Sequence, residues 1–196
     1  VLTDALTLPL APPSERARRE RRRELMATRT DQAGRTLEEL SSERPVLLVF
    51  LRHLGCTFCR EAAADVAKQR AAIEREGVVP AFVGMSEEDD LAAFLEAYGV
   101  GDLPRFSDPD RELYAAFGLG RGTARQLFGA RVVRRGLAAS APRWLGGEGH
   151  GVGSLQGDGL QMPGVFLLHR GRLVGGYRHE TAADRPDYRS LACEAR

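Results

Sequence analysis

The hydrophobic pattern of this chain alternates between extended runs and helical periods. One run, Val46 to Leu51, is apolar at every position and half β-branched or aromatic, which predicts a strand buried on both faces. After Cys56, Phe58, Ala62, Val66 and Ile73 keep to one helical face, and Gly77 ends the run. Val78 to Met85 reads as a second strand, with Pro80 near its start where an edge or entry position tolerates it. Ser86 is expected to cap the next helix, whose Leu91, Phe94, Leu95 and Tyr98 are spaced i, i+3, i+4, i+7. This rhythm is the sign of a βαβ unit with parallel pairing.

Upstream, Val1 to Pro13 is short, Pro-containing and aperiodic, a loosely docked terminus. Ser14 can cap a charged helix, Asp31 to Arg35 looks like a turn, and Thr36 to Leu40 a helical step into Pro45. Downstream, Leu103 to Phe106 is a brief extended piece. Asp108 is expected as a cap with Pro109 at the first helical position, and Leu113 and Phe117 lie on the helix that stops at Gly118. Val165 to Leu168 and Leu173 to Tyr177 form a hairpin about Arg170-Gly171. A terminal helix is expected over Arg185 to Arg196, with Leu191 as a packing residue. Residues 1–31 are thus read as an N-terminal extension and 32–196 as one domain, interrupted by an insertion at about 118–160.

Composition narrows the function. The 196 residues, 43% hydrophobic, suit a soluble globular domain, and no apolar run approaches the ~20 residues of a membrane span. The net charge of +1 gives no argument for a nucleic-acid partner. The N-terminus shows no secretory leader and three cysteines make no disulfide scaffold, so a cytoplasmic setting is expected. Basic residues are almost all arginine, Lys68 being the only lysine. The insertion has no acidic residue between Glu112 and Glu148 but carries Arg121, Arg125, Arg131, Arg134, Arg135 and Arg143. These arginines read as an anion or substrate pocket, with Arg125 a candidate, as a partner-docking surface, or as the solvated face of an amphipathic helix. The glycine-rich stretch Gly146 to Gly153 has no preceding strand and no following Gly-Lys-Ser/Thr, so it reads as a mobile loop rather than a phosphate cradle. Trp144 is assigned to packing of the insertion.

The candidate chemistry sits at Cys56 and Cys59, between the first buried strand and its helix. A thiol at a helix N-terminus feels the positive end of the dipole and unpaired N–H donors, both of which favour the nucleophilic thiolate. Cys56 is assigned as nucleophile and Cys59 as resolving partner. A half zinc site is the competing reading, but Cys193, His53, His150, His169 and His179 supply no second tight pair; inert thiols are the third. His53 either supports the thiolate or shuttles a proton, or is a structural turn residue. Arg52 offers electrostatic support, and Thr57 stands between the cysteines. No metal or organic cofactor is expected, since no nucleotide-binding motif is present.

The order strand, Cys-x-x-Cys helix, strand, helix, insertion, proline, hairpin, helix resembles the thioredoxin fold, an α/β class with a central mixed sheet flanked by helices. More closely, Phe50-Leu51-Arg52-His53-Leu54-Gly55-Cys56-Thr57-Phe58-Cys59-Arg60-Glu61, Ser107 to Asp110 and Gly157 to Phe166 resemble the peroxiredoxin-like family, the AhpC/TSA-type proteins related to selenoprotein L. The resemblance implies a redox-active pair at Cys56 and Cys59, and a cis Pro163 packed against it, with Met162 supplying backbone contact to an incoming chain. It also implies a peroxide or disulfide substrate and a thioredoxin- or glutathione-type reductant; the oligomeric state stays open, a homodimer among the options. The chain departs from true peroxiredoxins at Val49 and His53, where those carry a proline and a threonine or serine, and at Pro163, where they use an arginine. Arg52, Arg125 or another arginine of the insertion is the candidate substitute. The alternative function is a non-catalytic thioredoxin-fold module that docks a partner or anionic ligand through the arginine-rich insertion.

Overall fold

The structure, a computed structural model, describes residues 14–142, 145–151, 153 and 157–195. The Val1–Pro13 terminus, Arg143 and Trp144 lie outside the described residues. The elements are α1 (Glu15–Thr28), α2 (Leu37–Glu43), β1 (Val46–Phe50), α3 (Thr57–Arg75), β2 (Val79–Gly84), α4 (Glu88–Glu96), β3 (Arg105–Ser107), α5 (Glu112–Ala116), α6 (Ala124–Phe128), α7 (Ala130–Ser140), β4 (Gly164–His169), β5 (Arg172–Arg178) and α8 (Tyr188–Cys193). They build one five-stranded mixed sheet in the order β3-β2-β1-β4-β5. β1 runs parallel to β2 and antiparallel to β4, so the apolar run sits at the centre of the sheet.

That position explains its composition. Val46, Leu48 and Phe50 enter one core with Leu25 and Met26 of α1, Leu37 and Leu40 of α2, and Leu113 and Phe117 around α5. Leu47, Val49 and Leu51 enter the other with Val66 and Ile73 of α3, Leu91 and Leu95 of α4, and Tyr188 of α8. A strand covered on both faces has no polar positions to alternate with its apolar ones. Gly77, at φ +79°, ends α3 in the left-handed region open to glycine. Arg170 and Gly171, both with positive φ, make the tight β4–β5 turn.

Several expectations shift in detail. Ser14 does cap α1, its Oγ accepting the Ala17 N–H at 3.2 Å. Glu87 rather than Ser86 is the N-cap of α4; Ser86 lends its carbonyl to the Ser107 hydroxyl at 2.7 Å instead. Asp108 caps α5 from a distance. The turn through Pro109 puts Arg111 at the N-cap, yet the Asp108 carboxylate accepts the N–H groups of Glu112, Leu113 and Tyr114 at 3.1, 2.9 and 3.3 Å. Pro109 therefore lies in that turn and not in the helix. The terminal helix is shorter than expected because Pro186 leaves its start to Asp187, whose carboxylate accepts from Arg189 and Ser190.

Candidate active site

The site grows from the end of β1. Leu51 continues the ladder by donating its N–H to the Val83 carbonyl at 2.9 Å. Its own carbonyl accepts from the buried Tyr114 hydroxyl, which fixes where the chain leaves the sheet. A tight turn then closes through the Cys56 N–H and the His53 carbonyl at 2.9 Å, and α3 starts at Thr57 with Cys56 as its N-cap. The two cysteines come within 4.0 Å of each other. Both are reduced and buried.

Arg52 ties the pair together. Its backbone N–H donates to Cys59 Sγ at 3.0 Å, and its guanidinium donates through Nη1 to Cys56 Sγ at 3.3 Å. The same guanidinium is held by the carbonyls of Gln161, through Nε at 2.9 Å, and Gly159. Gln161 is itself buried, its amide donating to the carbonyls of Leu119, Gly120 and Met162. A buried guanidinium with its donors satisfied is a fixed positive charge against the sulfur.

The two thiols respond in opposite ways. The hydrogen bond from Cys59 holds Cys56 down to about 5 against the cost of burial, with the charge of Arg52 helping. Burial and the neighbouring Cys56 push Cys59 well above the ordinary range. Cys56 is thus the thiolate and Cys59 the thiol at neutral pH. His53 is buried and its Nδ1 has no partner among the described residues. Burial drives its pKa below the ordinary value, so near pH 7 it is mostly neutral and the stabilising charge is that of Arg52.

Other expected residues fall around this centre. Thr57 donates its hydroxyl to the Gly151 carbonyl at 2.7 Å, and Arg60 donates to that of His150 at 3.1 Å, so the glycine-rich loop is docked on the start of α3. A side chain at Gly153 would displace the Arg60 guanidinium and press on the Gly55 backbone at 3.1 Å. Pro163 lines a small pocket with Cys59, Arg52 and His179, but its peptide bond is trans, as most X–Pro bonds are. Nor is the Met162 backbone free for an incoming chain: its N–H donates to the Gly120 carbonyl at 3.0 Å and its carbonyl accepts from Gln161. The 118–122 segment lies against 160–162 and occupies the Met162 N–H, while the Gln161 side chain occupies its carbonyl. Arg125 is exposed on α6 and does not line the pocket.

Sequence reasoning missed a charged network behind the cysteines. Glu61 of α3 is buried, and both its oxygens accept from Arg135 of α7 at 2.8 Å. Arg185 approaches Glu61 at 3.2 Å and pairs with Asp65 at 2.6 Å and Glu148 at 3.1 Å. Glu61, Glu148 and His150 are the one trio of metal-capable side chains grouped among the described residues, and no cysteine belongs to it. With two arginines among them these carboxylates act as ion-pair partners. Arg121 pairs with Asp158 at 3.0 Å, and Arg131 reaches Asp184 at 3.8 Å. Of the described arginines between positions 118 and 160, Arg125 and Arg134 are exposed and have no carboxylate partner among the described residues.

Comparison with known proteins identifies the family and the fold. Residues 65–181 match the family described as AhpC/TSA antioxidant enzyme, a match that starts just beyond the cysteines. A prostamide/prostaglandin F synthase of Salmo salar is 30% identical over 69% of this chain and 65% of its own length. The peroxiredoxin-like 2C protein of Bos taurus is 28% identical over 76% of this chain and 68% of its own. The chain thus spans about two thirds of the curated relatives it matches. Among solved structures, the peroxidoxin BcpB of Mycobacterium tuberculosis superposes with a TM-score of 0.57 at 18% identity, covering 85% of this chain and 88% of that one. That likeness is one of fold.

Proposed function

This chain belongs to the AhpC/TSA antioxidant enzyme family, and from that premise we propose that it is a thiol-dependent oxidoreductase acting on a peroxide or disulfide. The observation that carries the reading is the split between two buried sulfurs, one a thiolate under Arg52 and one a thiol, at 4.0 Å. With a hydroperoxide, the Cys56 thiolate attacks the terminal oxygen and the O–O bond breaks. The departing alkoxide takes a proton and leaves as alcohol, while Cys56 becomes a sulfenic acid. Cys59 sulfur then attacks Cys56 sulfur; the S–O bond breaks, the hydroxide leaves with the Cys59 proton as water, and an internal disulfide remains. With a disulfide substrate the first product is a mixed disulfide, which Cys59 resolves by the same attack.

Two electrons from a thioredoxin- or glutathione-type reductant return the pair to thiols. Thioredoxin-fold proteins of this kind need no organic cofactor for these steps, because sulfur carries both electrons. A reducing, cytoplasmic setting suits such a cycle. The experiment follows single turnover with a hydroperoxide or a model disulfide. Cys56→Ser should abolish turnover, and Cys59→Ser should stop at the sulfenic acid or mixed disulfide, detected by mass. Full activity of the Cys56 variant overturns the reading and leaves the non-catalytic binding module.

A further inference from the structure

We propose that the cleft between α1 and the β4–β5 turn is a binding site for a small ligand carrying two or more phosphate groups. The site lies apart from the cysteines and is independent of the thiol chemistry. β4 runs antiparallel to β1, with Gly164 beside Phe50 and Leu168 beside Val46. The turn that follows β4 is therefore at the end of the sheet away from Cys56, and α1 packs on the opposite face of the sheet from α3.

Arginines from two distant parts of the chain meet in this cleft. Arg19, Arg22, Arg23 and Met26 are spaced i, i+3, i+4, i+7, so they share the face of α1 that lines it. The β4–β5 turn brings Arg170 and Arg172. Arg23, Met26, Arg170 and Arg172 line a recess of about 160 Å³, which continues along α1 past Arg22 and Arg19. Arg22, Arg23, Arg170 and Arg172 have no carboxylate partner among the described residues. Arg16, Arg18 and Arg21, on the other sides of α1, each pair with a glutamate. Arg22 is half-buried and held in place: it donates to the Ala116 carbonyl at 3.3 Å, and its guanidinium lies 5.5 Å from the Phe117 ring centroid. Arg170 carries a backbone cost. Its φ of +51° is in the left-handed region, where Asn or Gly is the usual residue of a two-residue hairpin turn. The arginine kept there adds a fifth guanidinium to the cleft.

Like charges gathered around one cavity repel one another and attract an anion into it. Each guanidinium offers a fork that matches two oxygens of a phosphate. A single carboxylate would answer only one of them, so the ligand needs several anionic groups. Glu15 and Glu38 mark its extent, Glu15 bordering the part along α1 and Glu38 the recess at the turn. A nucleic-acid backbone running on past either end would meet a carboxylate, which favours a compact ligand. Met26 and Leu173 add apolar surface for a portion that carries no phosphate. Inorganic pyrophosphate and the nucleoside di- and triphosphates share this chemistry.

The test titrates the full chain with pyrophosphate, ADP and AMP by calorimetry, at low salt and without divalent cations. The wild type should bind pyrophosphate and ADP saturably, one per chain, and AMP about tenfold more weakly. Arg23→Glu and Arg172→Glu should each weaken binding about tenfold, while Arg134→Glu, the same charge change on α7, should stay within about twofold. Arg170→Gly should weaken binding and yet raise the unfolding midpoint, since glycine adopts that φ freely. An arginine with only a structural role would not give that pair of shifts. ADP tighter than pyrophosphate assigns the nucleoside to the apolar surface, and equal affinities assign recognition to the phosphates alone; both uphold the site. A wild type without saturable binding overturns it. So does an equal loss in Arg134→Glu, or a single-stranded oligonucleotide that binds more tightly than ADP. Cys56 turnover enters none of these readouts, so the site stands or falls apart from the proposed function.

Discussion

Arg52 and Arg134 carry the same guanidinium into opposite settings. Arg52 is buried at the end of β1, fixed by two carbonyls and bonded to a sulfur. Arg134 is exposed on α7 with no carboxylate partner among the described residues. Two unit charges at 4 Å interact by about 4 kcal/mol in a partly buried setting and about 1 kcal/mol in water. The first arginine can change which species a cysteine is; the second can only attract a partner from solution. A sequence rich in arginine therefore says little about where charge acts, and burial decides it.

The comparison breaks most sharply at Arg52. Arg52→Met should move the Cys56 titration midpoint up from about 5 and slow its alkylation at pH 6 by about tenfold. Cys59→Ala, which removes the leading hydrogen bond, should move it further; pH-dependent alkylation with mass mapping reads both. A midpoint that stays put in Arg52→Met would deny the buried arginine its role. Next comes the contrast between Arg135 and Arg125. Arg135→Ala strands the buried Glu61 beside Arg185 and should cost about 2 kcal/mol in urea unfolding, less than a fully buried pair because Arg135 is 27% exposed. Arg125→Ala should stay within about 0.5 kcal/mol. Equal losses would erase the distinction.

A finer test uses pH. The Cys56 pKa is lower in the folded protein than in the unfolded chain, so its contribution to stability is full above the unfolded value near ~8.5 and is lost as pH falls toward about 5. The stability of the reduced wild type, relative to Cys56→Ser, should accordingly rise with pH between these limits. A flat difference would mean that Cys56 titrates like an ordinary thiol.

Legibility followed locality. The strand at Val46, the helix behind Cys56 and the hairpin at Arg170 were readable because period and turn chemistry are carried by neighbours in sequence. Cys56 and Cys59 were readable because their spacing on one helical turn is itself the signal. Glu61 was not: between Arg60 and Ala62 it looks like any surface acid, and only Arg135, 74 positions on, shows that it is buried. Gln161 and Tyr114 were missed for the same reason, since their partners lie on other elements. Asp108 was recognised as a cap, but the turn that separates it from its helix was not. The expected cis bond at Pro163 and open Met162 backbone came from the family pattern; the bond is trans, and the Met162 groups are taken by Gly120 and the Gln161 side chain.

The third cysteine has a practical consequence. Cys193 is exposed on α8, whereas Cys56 and Cys59 lie under the surface. A bulky maleimide needs access to a sulfur before it can react with the thiolate, and Cys193 is the exposed cysteine, so it should enter there first. The chain thus carries its own attachment point for a fluorophore, a bead or an electrode, one that leaves the two buried sulfurs unmodified.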